Sequence, residues 1–380
     1  MEWVKRKIRL SKRRNDKLSP WYIENGGKLL EGLIAASNGR YNIPYRVFTV
    51  DELNKAANYD FTGVSSDDSR LVMVDGTGYY INGIFQQRSI LVKKFYGYAT
   101  GDKGASYAVN DIVITVLMNR HKNVLKVLGC CLDLEIPAII YEIGNNYGLL
   151  HDLLFRRNEW NFKNNIGRSL SWSNRLKIAT DVANAVVYLH TAFPTPIIHR
   201  DLSKQNIVID DHGIAKLVDF SLCIALPPGE SQVEMELDIV SMRKGYIDPE
   251  YMTSGIITEK CDVYAFGIIL LELLTGLMGQ RLYHVDDQPI PLPEYVKNHI
   301  DKNELSKILD PTILGEKGEI EQEHQLQAFS KLALRCTRDE GADRPEIIEV
   351  AKELVRIQRI NLPNPSATAQ ETEAIYHIYS

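Results

Sequence analysis

The chain has 380 residues, 44% of them hydrophobic and 24% charged, with a formal net charge of −5 at pH 7. That length holds about two domains, the composition is that of an ordinary globular chain, and the mildly acidic balance argues against a nucleic-acid partner for the body of the protein. Cys130, Cys131, Cys223, Cys261 and Cys336 are scattered without a C-x-x-C pair, which argues against a disulfide framework or zinc site and for reduced thiols. No apolar run reaches the roughly 18 residues that span a bilayer, and the basic amino terminus has no apolar core of a signal peptide behind it. The expected location is cytoplasmic.

The first 20 residues carry eight lysines and arginines against Glu2 and Asp16. A solvated tail accounts for them, and so does attraction to an anionic plasma-membrane surface at about 1 kcal/mol per basic group. Residue 2 is Glu2 and no cysteine lies nearby, so a myristoyl or nearby palmitoyl anchor has no acceptor and membrane association is at most peripheral. Gly26-Gly27 leads into a short amphipathic helix from Lys28, ended by Asn38 and Gly39. A second helix starts near Thr49 or Asp51, either of which can cap it, with Leu53, Ala56 and Ala57 on one face. Residues 71–85 and 89–95 read as strands with Gly and Asn turns, and 108–117 as a helix. The apolar stretches 121–132 and 137–143 read as two buried strands. A short helix covers 149–154 and a polar loop 156–170. Ser171 then caps a long helix with the apolar stripe Trp172, Leu176, Ile178, Ala179, Val182, Ala183, Val186 and Leu189. Thr258 to Gly276 reads as one apolar helix. The end, 362–380, is polar and aperiodic, the pattern of a disordered tail.

Between the two long helices stands His199-Arg200-Asp201-Leu202-Ser203-Lys204-Gln205-Asn206, and 13 residues past Asn206 comes Asp219-Phe220-Ser221. The pair resembles the protein-kinase catalytic loop H-R-D-L-x-x-x-N followed by a D-F-G-like triplet. The resemblance implies an α+β, bilobal protein-kinase fold. A small β-rich N-lobe would cover 46–142 and a large helical C-lobe 143–360, with a basic extension bearing a short helix at 1–45 and a disordered tail at 361–380. It assigns Asp201 to accept a substrate hydroxyl proton, and Asn206 and Asp219 to hold magnesium. It places Lys93, Gly78 and, at the hinge beside Tyr141, Glu142 around ATP. Asp262 is expected to brace the catalytic-loop backbone and Arg344 to pair with Glu250.

Several positions depart from that pattern. Counted back from Ile90-Leu91-Val92-Lys93, a glycine-rich loop has only its third glycine, Gly78; Met73 and Asp75 hold the other two places, unless Gly76 serves in another register. A Cβ at those places keeps backbone N–H groups off the phosphates, and a carboxylate repels them. Leu91 and Tyr80 stand where smaller residues usually flank adenine, which implies a crowded cleft. The acidic candidate to pair Lys93 is Asp111, one methylene shorter than the usual glutamate; the ungapped register puts Ile112 there and leaves Lys93 unpaired. Ser203 replaces a lysine that usually contacts the transferred phosphate, and Lys204, one residue later, should point elsewhere. Ser221 replaces the D-F-G glycine. Arg243 replaces a threonine and can pair with Asp201, masking it. The segment from Ser221 to Glu250 has no threonine; with the acidic Glu230, Glu234, Glu236 and Asp238 and with Pro227-Pro228-Gly229, its part from Leu222 to Lys244 reads as a mobile recognition surface, not a substrate platform.

The His121-Lys-Asn-Val strand, Gly245-Tyr-Ile-Asp-Pro-Glu-Tyr251 and Asp262-Val-Tyr-Ala-Phe-Gly267 together resemble plant receptor-like kinases of the wall-associated type. The combined losses resemble the receptor-like cytoplasmic pseudokinases named for deficiency in HopZ-effector-triggered immunity. That group implies an adaptor. Its partners would be a coiled-coil nucleotide-binding leucine-rich-repeat receptor, other receptor-like cytoplasmic kinases, and pathogen effectors. No cofactor would be required, ATP and magnesium being optional. The competing expectation is an active serine/threonine kinase with an altered grip on nucleotide.

Overall fold

The computed structural model describes residues 19–37, 46–62, 71–74, 77–96, 103–155, 170–235, 243–285, 288–314 and 320–360. The basic residues before Ser19, Asn38, Gly39, Asp75, Gly76, the polar loop at 156–169, Glu236, Asp238, Ser241 and the tail 361–380 lie outside them.

The N-terminal half is built on one sheet. Its strands are β1 (Arg46–Phe48), β2 (Leu71–Val74), β3 (Gly78–Phe85), β4 (Arg88–Phe95), β5 (Val127–Cys131) and β6 (Ala138–Glu142), in the order β1-β5-β6-β4-β3-β2. The β3–β4 hairpin turns at Gln86 and Gln87, both with positive φ, the backbone hand that matches strand twist. Among the described residues, α1 (Pro20–Ser37) packs on α3 (Lys103–Met118), which lies against β4, β5 and β6, and α2 (Val50–Ala57) lies against β3.

Thr49 is the cap of α2. Its Oγ1 accepts from the Glu52 N–H and the Glu52 carboxylate accepts from the Thr49 N–H. Leu53 and Ala57 are buried below it. Thr49→Ala is expected to cost about 1 kcal/mol, read as a lower denaturant midpoint with unchanged slope; no shift would place the helix start elsewhere.

α1 departs from expectation. It begins at Pro20, and Gly26 and Gly27 sit inside it instead of ahead of it. Tertiary contacts override the glycines. Asn25, buried, donates from Nδ2 to the Leu132 and Leu134 carbonyls at 3.2 and 2.9 Å. Ser19 Oγ donates to the Asp133 carbonyl. Leu29 and Leu33 are buried, and Gly32 lies against Val113 of α3, where an added Cβ would sit 3.0 Å from Val113 Cγ2.

The C-terminal half is helical. α4 (Leu150–Phe155) follows the short β7 (Gly148–Leu149), and α5 (Trp172–Thr191) is capped by Ser171. Every residue of the predicted α5 stripe is buried. Arg175 is buried with them, which the periodicity did not flag: its guanidinium donates to the Leu170 and Leu273 carbonyls, Asp310 and Thr312. Next come β8 (Ile197–Ile198), β9 (Ile207–Ile209), β10 (Ala215–Leu217), β11 (Ile224–Ala225), β12 (Val233–Glu234), α6 (Pro249–Ser254), β13 (Ile256–Ile257) and α7 (Glu259–Thr275). α7 is buried along nearly its whole length and ends on Gly276 at φ 65°.

The segment after Ser221 is pinned, not loose, as far as Met235. β11 pairs with β8 and β12 with β13. Leu226 is buried with Ile198, Tyr251 and Ile257. Between the ladders, Glu230 N–H donates to the Pro227 carbonyl with Gly229 at φ 85°, a turn of type II that needs glycine at that place. Its tip, Pro227 to Gln232, is exposed throughout, as are the single residues Ala225 and Glu234 within the ladders.

Arg344 corrects a sequence expectation. It makes a bidentate pair with Asp248, not Glu250, at 2.5 and 2.6 Å. The Glu250 carboxylate instead accepts the Gly341 N–H at 2.6 Å. Asp248 caps α6, so its carboxylate already faces inward.

Candidate functional site

β8 delivers the chain into His199-Arg200-Asp201, and a single 3₁₀ turn, Lys204–Asn206, leads out into β9. Asp262 near the start of α7 holds the loop. Its carboxylate accepts from the His199 N–H at 2.8 Å, the Arg200 N–H at 2.9 Å and His190 Nε2 at 2.8 Å. Arg200 can therefore stay at φ 67°. Burial pushes Asp262 up, but the His190 hydrogen bond and the charges of His190 and His199 hold it below the ordinary carboxylate value.

Lys93 is paired, and its partners are Asp111 at 3.1 Å and Asp219 at 2.6 Å, so the Ile112 register is wrong. All three side chains are essentially inaccessible, at 0, 0 and 1% exposure. The shorter Asp111 reaches Lys93 from α3. Its Oδ1 also accepts from the Phe220 N–H at 3.0 Å and Thr115 Oγ1 at 3.0 Å, and Tyr141 OH lies 3.4 Å away. Burial pushes the Asp111 carboxyl up against the opposing pull of Lys93, and the Asp219 charge adds to the rise. Asn110, the preceding residue, donates to the carbonyls of Phe220, Ser221 and Cys223 at 3.2, 3.0 and 2.8 Å. Asn110 and Asp111 thus grip both sides of the Asp219-Phe220-Ser221 backbone. Sequence reading missed Asn110. The available signal was the adjacent polar pair Asn110-Asp111 interrupting the largely apolar run from Ala108 to Leu117.

Ser221 turns its hydroxyl onto Asp219 Oδ1 at 2.6 Å, and its N–H donates to the same oxygen. The hydroxyl also lies 3.3 Å from Thr77 Oγ1. Asp219 itself takes φ 64°. Tyr80 and Leu91 are buried, at 0 and 1% exposure, in the core that also holds Tyr141 and Phe220. Lys93 Nζ lies 4.5 Å from the Phe95 ring centroid and 5.4 Å from that of Tyr80, a cation against aromatic faces.

Arg243 closes the other end. Its Nε donates to the two Asp201 oxygens at 3.0 and 3.3 Å, and a terminal nitrogen donates to Asn206 Oδ1 at 3.1 Å. Asn206 Nδ2 donates to the carbonyl and carboxylate of Asp201, both at 2.8 Å. Asp201 is nonetheless pushed up, by burial and by the Asp219 charge, with Arg243 pulling down.

The remaining site residues do other work. Lys204 points away from the cleft, into a buried cluster with Glu272, Tyr246 and Gln280 at 2.5, 3.0 and 2.8 Å. Ser203 Oγ is buried and has no hydrogen-bond partner among the described residues. Glu142 turns its carboxylate outward to Lys126 and Arg88 at 2.6 and 3.3 Å, and its N–H donates to the Lys126 carbonyl. Gly78 lacks a Cβ for a reason internal to the sheet: one added there would sit 2.2 Å from the Lys94 carbonyl oxygen.

In kind, two carboxylates and an amide oxygen suit magnesium. In arrangement they do not. Asn206 Oδ1 and both Asp201 oxygens face Arg243, and Asp219 Oδ1 faces Lys93 and Ser221. What the geometry supplies is a set of buried ion pairs closed on themselves.

Residues 77–354 match the family model for protein tyrosine and serine/threonine kinase. Among proteins of Arabidopsis thaliana, the chain is 36% identical over 352 residues to the non-functional pseudokinase ZED1, covering 91% of this chain and 99% of the relative. It is 35% identical over 353 residues to the serine/threonine-protein kinase ZRK1, covering 92% and 95%. It is 33% identical over 332 residues to the putative wall-associated receptor kinase-like 16, covering 87% and 70%. With a β-sheet lobe, a helical lobe and a catalytic-loop scaffold braced by Asp262, the chain belongs to the protein-kinase family, among the relatives that include ZED1 and the ZRK proteins.

Proposed function

We propose that this chain is a pseudokinase that serves as an adaptor in plant innate immunity. It binds a coiled-coil nucleotide-binding leucine-rich-repeat receptor and senses receptor-like cytoplasmic kinases altered by effectors, or the effectors themselves. The observation that carries the reading is Arg243 seated on both Asp201 and Asn206. Supporting it, Lys93 is sealed between two carboxylates, and ZED1 and ZRK2 both bear the name of non-functional pseudokinases. The exposed tip from Pro227 to Gln232, held by its turn and two ladders, is offered as part of the recognition surface. The adaptor works in the cytoplasm, needs no cofactor, and touches the membrane at most peripherally through its basic tail.

The second reading is a serine/threonine kinase of low activity. The observation favouring it is the connectivity of Lys93 with Asp111 and Asp219, beside relatives named as kinases, ZRK1 and ZRK4.

Thermal unfolding with Mg-ATP separates the two. A ligand at a hundred times its Kd stabilises by about 2.7 kcal/mol, which raises Tm by several degrees in a domain of this size at about 2–4 °C per kcal/mol. No rise is expected for the native chain. In plants, Asp201→Asn is expected to keep immune signalling; lost signalling with unchanged protein level and receptor binding would support the kinase reading.

A further inference from the structure

We propose that Arg243 is a resident counter-ion that excludes a divalent cation from Asp201 and Asn206, and that its removal turns these residues and Asp219 into a cation site the native chain lacks. This rests on the pseudokinase reading and gives it a cause. The geometry is that of replacement. One planar guanidinium bridges Asp201 and Asn206 and occupies the amide oxygen that would otherwise face a metal ion, through Nε to both Asp201 oxygens and a terminal nitrogen to Asn206 Oδ1. The Asn206 amide is not free to turn away. Its Nδ2 is held at 2.8 Å by both the carbonyl and the carboxylate of Asp201, so Oδ1 must face whatever cation stands there.

The charges close the argument. Around the cleft, three buried carboxylates, Asp111, Asp201 and Asp219, face two cations, Lys93 and Arg243. Lys93 is already shared by Asp111 and Asp219. Without Arg243 the ratio becomes three to one, and Asp201, 5% exposed in the native chain, loses its cation beside an amide oxygen that loses its donor. A hard divalent ion is the ligand that such an oxygen cluster takes. Arg243 is also anchored from behind. Tyr246, three residues on, is buried, donates from its hydroxyl to Glu272 at 2.7 Å and accepts from Lys204, so the guanidinium is delivered by a fixed stretch of backbone. Lysine would not substitute: an ammonium on a flexible stem is a point charge without the bridging fork.

The test uses Mn²⁺ alone, without nucleotide, followed by electron paramagnetic resonance of the free ion on the full chain. The native protein is expected to take up none up to about 1 mM, the weak end of hard-oxygen sites. Arg243→Gln, which keeps the side-chain bulk and loses the charge, and Arg243→Ala are expected to bind one ion at least tenfold more tightly than native. Arg243→Gln/Asn206→Leu is expected to lose it again. Circular dichroism melts accompany each variant. Mn²⁺ binding by the native chain within threefold of Arg243→Gln overturns the proposal, as does a folded Arg243→Gln that binds no ion. A native chain that takes up Mn²⁺ yet transfers no phosphate from ATP overturns this proposal alone and leaves the pseudokinase reading standing.

Discussion

Lys93→Ala is expected to cost about 3–5 kcal/mol of stability, the usual price of stripping one partner from a buried ion pair. In a domain of this size that lowers Tm by on the order of 10 °C. The cause is Asp111 and Asp219, both within 3.1 Å of Lys93 Nζ and both closed to water. Without the ammonium, two carboxylates share a dry site beside the neutral donors Phe220 N–H, Thr115 and Ser221. A site built chiefly to hold nucleotide would instead lose ligand binding and keep its fold. The pH dependence has a definite sign. Burial already raises the Asp111 carboxyl, and losing Lys93 raises it further. A group whose folded pKa lies above its unfolded value loses stability as pH rises through the folded value, so the deficit grows with rising pH and shrinks in acid. Calorimetric melts of Lys93→Ala across that range decide the matter. A Tm within about 2 °C of native at neutral pH would show that the triad is not structural. Adding Asp111→Leu is expected to recover part of the loss, since removing both partners costs less than removing one.

Asp248→Ala is expected to destabilise the C-lobe by about 3–5 kcal/mol, and Glu250→Ala by about 1–3 kcal/mol. Arg344 is buried at 2% exposure and gives both hydrogen-bonding ends of its fork to Asp248. Removing that carboxylate strands a guanidinium that keeps the backbone carbonyls of Arg338, Asp339 and Lys260 and the face of Tyr264, 5.0 Å from its Cζ, but no counter-charge among those contacts. Removing Glu250 strands one N–H, that of Gly341. Urea unfolding of the two variants side by side ranks them. The reverse order would restore the Arg344–Glu250 pairing expected from sequence.

That last contrast shows where sequence reading runs out. Motif spacing placed Asp201, Asn206, Asp219 and Asp262 in one scaffold because a short loop between named strands leaves little freedom. Hydrophobic period placed the α5 stripe for the same reason. Choosing between Asp248 and Glu250, or between Asp111 and Ile112, needs the direction of a side chain from a cap or a helix face, and both candidates sit within two residues of each other. The Arg243 contact with Asp201 was legible because the replaced threonine lies beside the loop. Its contact with Asn206 was not, since that depends on which way an amide faces. Arg175 shows the opposite failure: an arginine on an apolar stripe carries a signal, but a period counts only apolar residues.

α1 contains three glycines, Gly26, Gly27 and Gly32, in 18 residues. Each is about 1 kcal/mol less favourable than alanine in a helix interior, and a helix of this length is marginal alone even with better residues. It is therefore helical by contact: Asn25 on the Leu132 and Leu134 carbonyls, Leu29 and Leu33 in the core, Gly32 on Val113. Amide protons in α1 exchange with deuterated water whenever that contact opens, through local unfolding that leaves the rest of the lobe intact. Their protection factors measure, on a living equilibrium, how firmly the helix bearing Asn110 and Asp111 is seated.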